Sequence, residues 1–177
     1  MSYLKTVATS EATGDVADVY QEITASFGGV PGIMQVHSAV PFHLRQKWEF
    51  IKHSMQNPNL SGALQATIRM TVSQGTACAY CIDMNAGMLM NMFGWTTEQV
   101  AATQADPANA NLDERETALL LFILKAVKDS NSTTQADVDA LRAFGYSDED
   151  IYEGLALGAW MVAGDIVSNA LHVERDF

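Results

Sequence analysis

Cys78 and Cys81 are the only cysteines in this chain of 177 residues, spaced as Cys78-Ala79-Tyr80-Cys81. Two thiols at that spacing share one face of a turn, and in a reducing compartment the pattern reads as redox-active or metal-binding. The flanking pattern sharpens this. A helix-length segment, Ser61 to Gly75, precedes the pair, and a second, Ala77 to Phe93, carries it and is closed by Gly94. A thiol where one helix stops and the next begins meets unpaired backbone N–H groups and the positive end of a helix dipole. Both favour thiolate over thiol.

Composition narrows the classes. At 177 residues and 48% hydrophobic, the chain can bury one core and is expected to form a single domain over 1–177. Its 10 Lys+Arg against 21 Asp+Glu give a formal charge of -11 with no basic cluster, which argues against nucleic acid as a partner. The start, Met1-Ser2-Tyr3-Leu4-Lys5-Thr6, lacks the apolar stretch of an export signal, and the apolar run Ala118 to Leu124 ends at Lys125. No membrane span is expected, and the compartment is expected to be the cytoplasm.

The elements that must position the thiols all read as helices. Val16, Val19, Tyr20, Ile23 and Phe27 recur at helical spacing over Gly14 to Phe27, with Gly28-Gly29 as the stop. Ile33 to Val40 predicts a short helix, and Pro41 opens another through Leu44, Trp48, Ile51 and Met55. Ser61 caps the helix before the cysteines. Cys78, Cys81, Asn85, Met88, Leu89 and Met92 form one broad stripe on the cysteine helix, with only Asp83, Gly87 and Asn91 as a polar edge, so this helix is expected to be buried on most sides. Thr96-Thr97-Glu98-Gln99 resembles a capping box, and Asp106 to Asn111 is a loop. Asp113 caps Glu114 to Lys128, Thr133 or Thr134 starts a helix that Gly145 ends, and Ser147 launches the longest helix, to about His172. Nothing alternates with period two for long enough to argue a strand, so the fold class is all-α. Gly154 and Gly158 lie four apart, which admits a close helix neighbour.

The segment Leu64 to Met92, with its embedded Cys78-Ala79-Tyr80-Cys81, resembles the core motif of the alkylhydroperoxidase D and carboxymuconolactone decarboxylase superfamily. Glu116 to Leu120 and Leu141 to Ile151 resemble the helices that follow this motif in the peroxidase-related branch. The resemblance extends over about 29–172. It implies an all-helical alkylhydroperoxidase D-like bundle that forms a homo-oligomer, with a trimer or a hexamer expected. It further implies an antioxidant enzyme whose Cys78 and Cys81 cycle between dithiol and disulfide, with a peroxide or small disulfide as substrate and a dithiol or thioredoxin-like protein as reductant. No cofactor is implied.

Redox-active members of that family carry a Glu twelve residues before the first cysteine and a His four residues after the second. Ala66 and Asn85 stand there in this chain. Neither can serve as a general base, although the Asn85 amide can hydrogen-bond a thiolate or a water. Either a substitute base exists, or the chain is a redox-inactive relative: a small-ligand binder, a scaffold, or an enzyme like the decarboxylase branch, which uses no cysteine pair. Asp83 points away from the cysteine face. His37, Glu49 and His53 could reach it only through the fold. Asp165, Asn169 and His172 share one face of the last helix, where a solvated stripe is the plainer reading.

Other constellations carry less. There is no second CxxC, and His37, His43, His53 and His172 lack paired ligand spacing, so no metal is expected. Met84, Met88, Met90 and Met92 read as core filler rather than copper ligands, and Trp48, Trp95 and Trp160 as packing residues. Gly28-Gly29-Val30-Pro31-Gly32 lacks the Lys and Ser/Thr of a phosphate loop and reads as a turn.

Overall fold

Side-chain caps set the helix starts. In the computed structural model, which describes residues 2–175, nine α-helices and no strand occur among the described residues. They are α1 (Gly14–Phe27), α2 (Gly32–Val36), α3 (Pro41–Ser54), α4 (Gly62–Gly75), α5 (Ala79–Phe93), α6 (Thr97–Ala105), α7 (Glu114–Lys128), α8 (Gln135–Ala143) and α9 (Asp148–Ala170). None of them is long and apolar enough to cross a membrane. The chain groups into two compact units, one of residues 1–56 with 167–177 and one of residues 57–166.

In the first unit, α1 buries Val16, Val19, Tyr20 and Ile23, and Gly28 closes it at φ 79°. On α3, Trp48 is buried and donates its indole N–H to Glu22 at 2.7 Å, while Lys52 reaches the same carboxylate at 2.7 Å. The segment expected to be one helix over Ile33 to Val40 instead stops at Val36 and continues as a 3-10 turn, His37–Ala39. Pro41 explains why helical geometry ends by Val40. The residue before a proline is pushed out of helical geometry, and Val40 sits at φ −135°, ψ 95°.

The second unit is built around α4, whose residues Leu64 to Ser73 are buried except Arg69. Ser61 accepts the Leu64 N–H at 3.1 Å and starts it. Its neighbours include α5, α6 and α7. Thr96 and Gln99 form a reciprocal capping box at α6, and Thr134 and Asp137 form one at α8. Asp113 caps α7, accepting the Glu116 N–H at 2.7 Å. Ser147 and Asp150 bond reciprocally at the start of α9. Ala66, Met70, Ala86, Leu89, Trp95 and Val100 make an apolar cluster from α4, α5, α6 and the turn between the last two. A Cβ at Gly158 would lie 2.5 Å from Ile123 Cγ2, and one at Gly154 would lie 3.1 Å from Ile123 Cδ1. The close helix neighbour that Gly154 and Gly158 admit is therefore α7 of the same chain.

Candidate active site

The turn that presents the cysteines is a Schellman motif. The Cys78 N–H donates to the Ser73 carbonyl at 3.0 Å and the Ala77 N–H to the Gln74 carbonyl at 3.2 Å. This closure needs a left-handed residue between the two helices, and Ala77 holds φ 55° there, where glycine is usual. Helix α5 therefore starts two residues later than the periodicity predicts, at Ala79 rather than Ala77. Cys78 becomes its N-cap residue, and Cys81 lies in its first turn.

Both thiols are buried, Cys78 at 0% exposed and Cys81 at 1%. They are joined by a carboxylate from α9. The sulfurs of Cys78 and Cys81 and an oxygen of Asp165 all lie within 4.8 Å of one another. Asp165 is itself fully buried, held by the Ser73 hydroxyl donating to Oδ1 at 3.0 Å and the Thr76 hydroxyl donating to Oδ2 at 2.6 Å. The Cys81 thiol is pushed up from its ordinary value, first by its hydrogen bond to Cys78, then by burial, then by the hydrogen bond to Asp165 and its charge. Cys81 is thus held in its protonated form.

Asn85 lies one turn beyond Cys81 and is fully buried. Its Nδ2 donates to the Cys81 carbonyl at 2.8 Å, and its Oδ1 accepts from Arg69 Nε at 2.8 Å. Ala66, the other substituted relay position, lies in the apolar cluster of α4, α5 and α6. The remaining candidates separate. Asp165 leaves the expected solvated stripe and joins the thiols, whereas Asn169 is exposed and His172 lies past the end of α9 at φ 51°. The burial expected for the whole cysteine stripe also fails at its far end, where Met88 is only partly buried and Met92 is 62% exposed. Glu49 is engaged by Arg45 and Lys52 within the first unit.

Sequence periodicity missed Arg69, Ser73 and Thr76 and discounted Asp165. One signal was present. Asp165 is the sole Asp, Glu, Lys or Arg between Glu153 and Glu174, and a lone charge in so apolar a helix is rarely wet on all sides. Asp165 supplies the third ligand that the sequence spacing lacked. Among the described residues, Cys78, Cys81 and Asp165 are the group able to grip an ion, with two soft sulfurs and one hard oxygen.

No family model matches the sequence, and no curated protein matches it. Solved structures do. A peroxidase-related protein from Ralstonia eutropha JMP134 with an alkylhydroperoxidase AhpD core superposes with a TM-score of 0.86 at 21% identity, over 99% of this chain and 92% of that one. The chain has the AhpD-like fold. A peroxidase-related protein from Silicibacter sp. TM1040 shares the AhpD-like arrangement at a TM-score of 0.84 and 19% identity, covering 98% and 91% of the two chains. The debrominase Bmp8, solved as a Cys-to-Ala variant with 2,3,4-tribromopyrrole, gives a TM-score of 0.79 at 16% identity over 99% of this chain and 94% of its own. At these identities the likeness is one of fold.

Proposed function

We propose that this AhpD-like protein is a thiol-dependent oxidoreductase of antioxidant type, with Cys78 as nucleophile, Cys81 as resolving thiol and Asp165 as the proton carrier. The observation that supports the reading is the buried Asp165 carboxylate beside both sulfurs. It is the kind of group that the substitutions at Ala66 and Asn85 otherwise remove.

The Cys78 thiolate attacks the outer oxygen of a hydroperoxide, breaking the O–O bond. Cys78 becomes a sulfenic acid, and the alkoxide takes up the proton that Cys78 gave away, leaving as the alcohol. Cys81 then attacks the Cys78 sulfur. Its proton passes through Asp165 to the departing hydroxide, which leaves as water, and a disulfide forms. A dithiol or a thioredoxin-like protein supplies the two electrons and two protons that restore the pair.

The burial of both sulfurs favours a second reading, a redox-silent ligand binder, because a thiol sealed from solvent is slow. One experiment separates the two. Reduced protein freed of reductant is given an organic hydroperoxide, and in parallel 2,3,4-tribromopyrrole, since a protein of this fold is a debrominase. Free thiols are counted in the parent, Cys78→Ser, Cys81→Ser and Asp165→Asn. The expected result is paired thiol loss in the parent, reversed by a dithiol, and loss slowed about a hundredfold in Asp165→Asn. Thiols that persist at the rate of an ordinary cysteine with both reagents would overturn the redox reading.

We further propose that the chain works as one domain and assembles as a trimer or hexamer, with exposed apolar side chains such as Leu121, Trp160 and Ile166 supporting assembly. Light scattering at monomer mass would remove that assignment.

A further inference from the structure

Arg69 is a partly buried cation of α4 that makes no ion pair among the described residues. The chain carries 21 acidic residues against 10 basic ones. Arg45, Lys52, Lys125 and Arg142 each reach a carboxylate, and Arg115 stacks on the Tyr146 ring at 3.8 Å. Among the described residues, Arg69 Nε donates a hydrogen bond to Asn85 Oδ1, and no carboxylate pairs with the guanidinium. Both terminal nitrogens keep their N–H donors free for something else.

The surroundings make this more than a loose surface arginine. The polar groups one turn away along α4 are already engaged, Gln65 with the Leu60 carbonyl at 2.9 Å and Ser73 with Asp165 at 3.0 Å. Asn85 cannot turn away, because its Nδ2 is bound to the Cys81 carbonyl at 2.8 Å. Burial draws Arg69 down to about 10, the mark of a cation short of solvation, although the residue keeps some exposure. Ala66 and Met70, on the same stretch of α4, belong to an apolar cluster against which the partly buried Ile82 and Met88 of α5 pack. A fixed planar cation beside apolar side chains suits a molecule with an anionic head and an apolar body.

We propose that Arg69, oriented by Asn85, binds the anionic head of a small organic ligand, a monoanion such as an aromatic carboxylate. Under the redox reading above, on which only this last step rests, that ligand is the hydroperoxide whose O–O bond the Cys78 and Cys81 pair cleaves, its anionic head held by Arg69 beside the Asn85 that bonds the Cys81 carbonyl. The guanidinium fork grips a carboxylate through paired N–H donors, and a neutral isostere of the same shape is left out.

The test uses the full chain and the probe 4-fluorobenzoate, followed by fluorine NMR, with 4-fluorobenzamide as the uncharged control. Saturable broadening by the acid and none by the amide is expected. Affinity should fall about tenfold or more in Arg69→Gln, as a charge-assisted hydrogen bond is lost, and less in Arg69→Lys. Asn85→Asp supplies Arg69 with an internal carboxylate and should block the probe, which keeps the idea testable if Arg69→Gln fails to fold. Equal response to acid and amide, or undiminished binding in Asn85→Asp and in folded Arg69→Gln, would overturn the proposal. The same binding is expected in the Cys78→Ser, Cys81→Ser double variant. A parent that binds the acid yet keeps its thiols under peroxide would overturn the redox reading and uphold the anion site.

Discussion

The Thr76 hydroxyl donates a 2.6 Å hydrogen bond to Asp165, tying the last helix to the turn two residues before Cys78. The same carboxylate takes the Ser73 hydroxyl, so the groups that end α4 also aim the acid at the thiols. Thr76→Val keeps the shape of the side chain and removes one donor. The expected cost is about 1–3 kcal/mol in urea unfolding, since a buried carboxylate loses a partner. Peroxide-dependent thiol loss should slow as well. Unchanged values of both would mean that Asp165 does not depend on this bond.

Ala77 occupies the left-handed region at φ 55° in the turn before Cys78. Glycine relieves about 1–2 kcal/mol of that conformational cost and returns about half of it as unfolded-chain entropy. Ala77→Gly should therefore raise stability by about 0.5–1 kcal/mol, measured as the urea midpoint. A loss would place Ala77's methyl group in a packing role instead.

The two glycines of α9 should respond differently to alanine. At Gly158 the new Cβ would lie 2.5 Å from Cγ2 of the fully buried Ile123, a rigid branched methyl, and a loss of about 1–3 kcal/mol is expected. At Gly154 the nearest atoms are side-chain ends at 3.1 Å and 3.3 Å, and the gain in helix propensity, about 1 kcal/mol, offsets the crowding. Gly154→Ala should be close to neutral. Thermal unfolding of the two variants side by side reads the difference.

Burial, followed by the nearby Lys47 and His43 charges, lowers His37 to about 4 from its ordinary 6.5, and its Nε2 is buried with no partner. The folded state therefore prefers the neutral ring. Its contribution is complete above about pH 6.5, where the unfolded ring is also neutral, and is lost as pH falls through the window toward 4. His37→Leu removes the titration, and the fall in melting temperature between these pH values should flatten. An unchanged slope would assign the acid sensitivity to other groups.

Removing Cys78 should make Cys81 more acidic, because the hydrogen bond to Cys78 is the first cause of its raised value. Burial and Asp165 remain, so alkylation of Cys81 in Cys78→Ser should still start at higher pH than for an exposed thiol. Asp165→Asn in the same background should bring the profile down further. Identical profiles would separate Asp165 from the thiol.

The sequence by itself determined the helices. The α1 bounds Gly14–Phe27 and the α7 bounds Glu114–Lys128 follow from caps and periodicity, and the capping box at Thr96 follows from four adjacent letters. These are local interactions, complete within one or two turns, so the chain carries them wherever it goes. The cysteine pair at a helix junction was legible for the same reason, although the Schellman closure shifted the start of α5 to Ala79. Only tertiary structure decided what the thiols face. Ser73 and Asp165 are 92 residues apart in sequence, and no helical wheel relates the face of α9 to the end of α4. It also decided that the Gly154 and Gly158 face serves α7, that Ala66 is core, and that Arg69 meets an amide where so many carboxylates were available. A cap is fixed by backbone geometry. A partner across the fold is fixed by which faces bury the most apolar surface together, and that is a property of the whole chain.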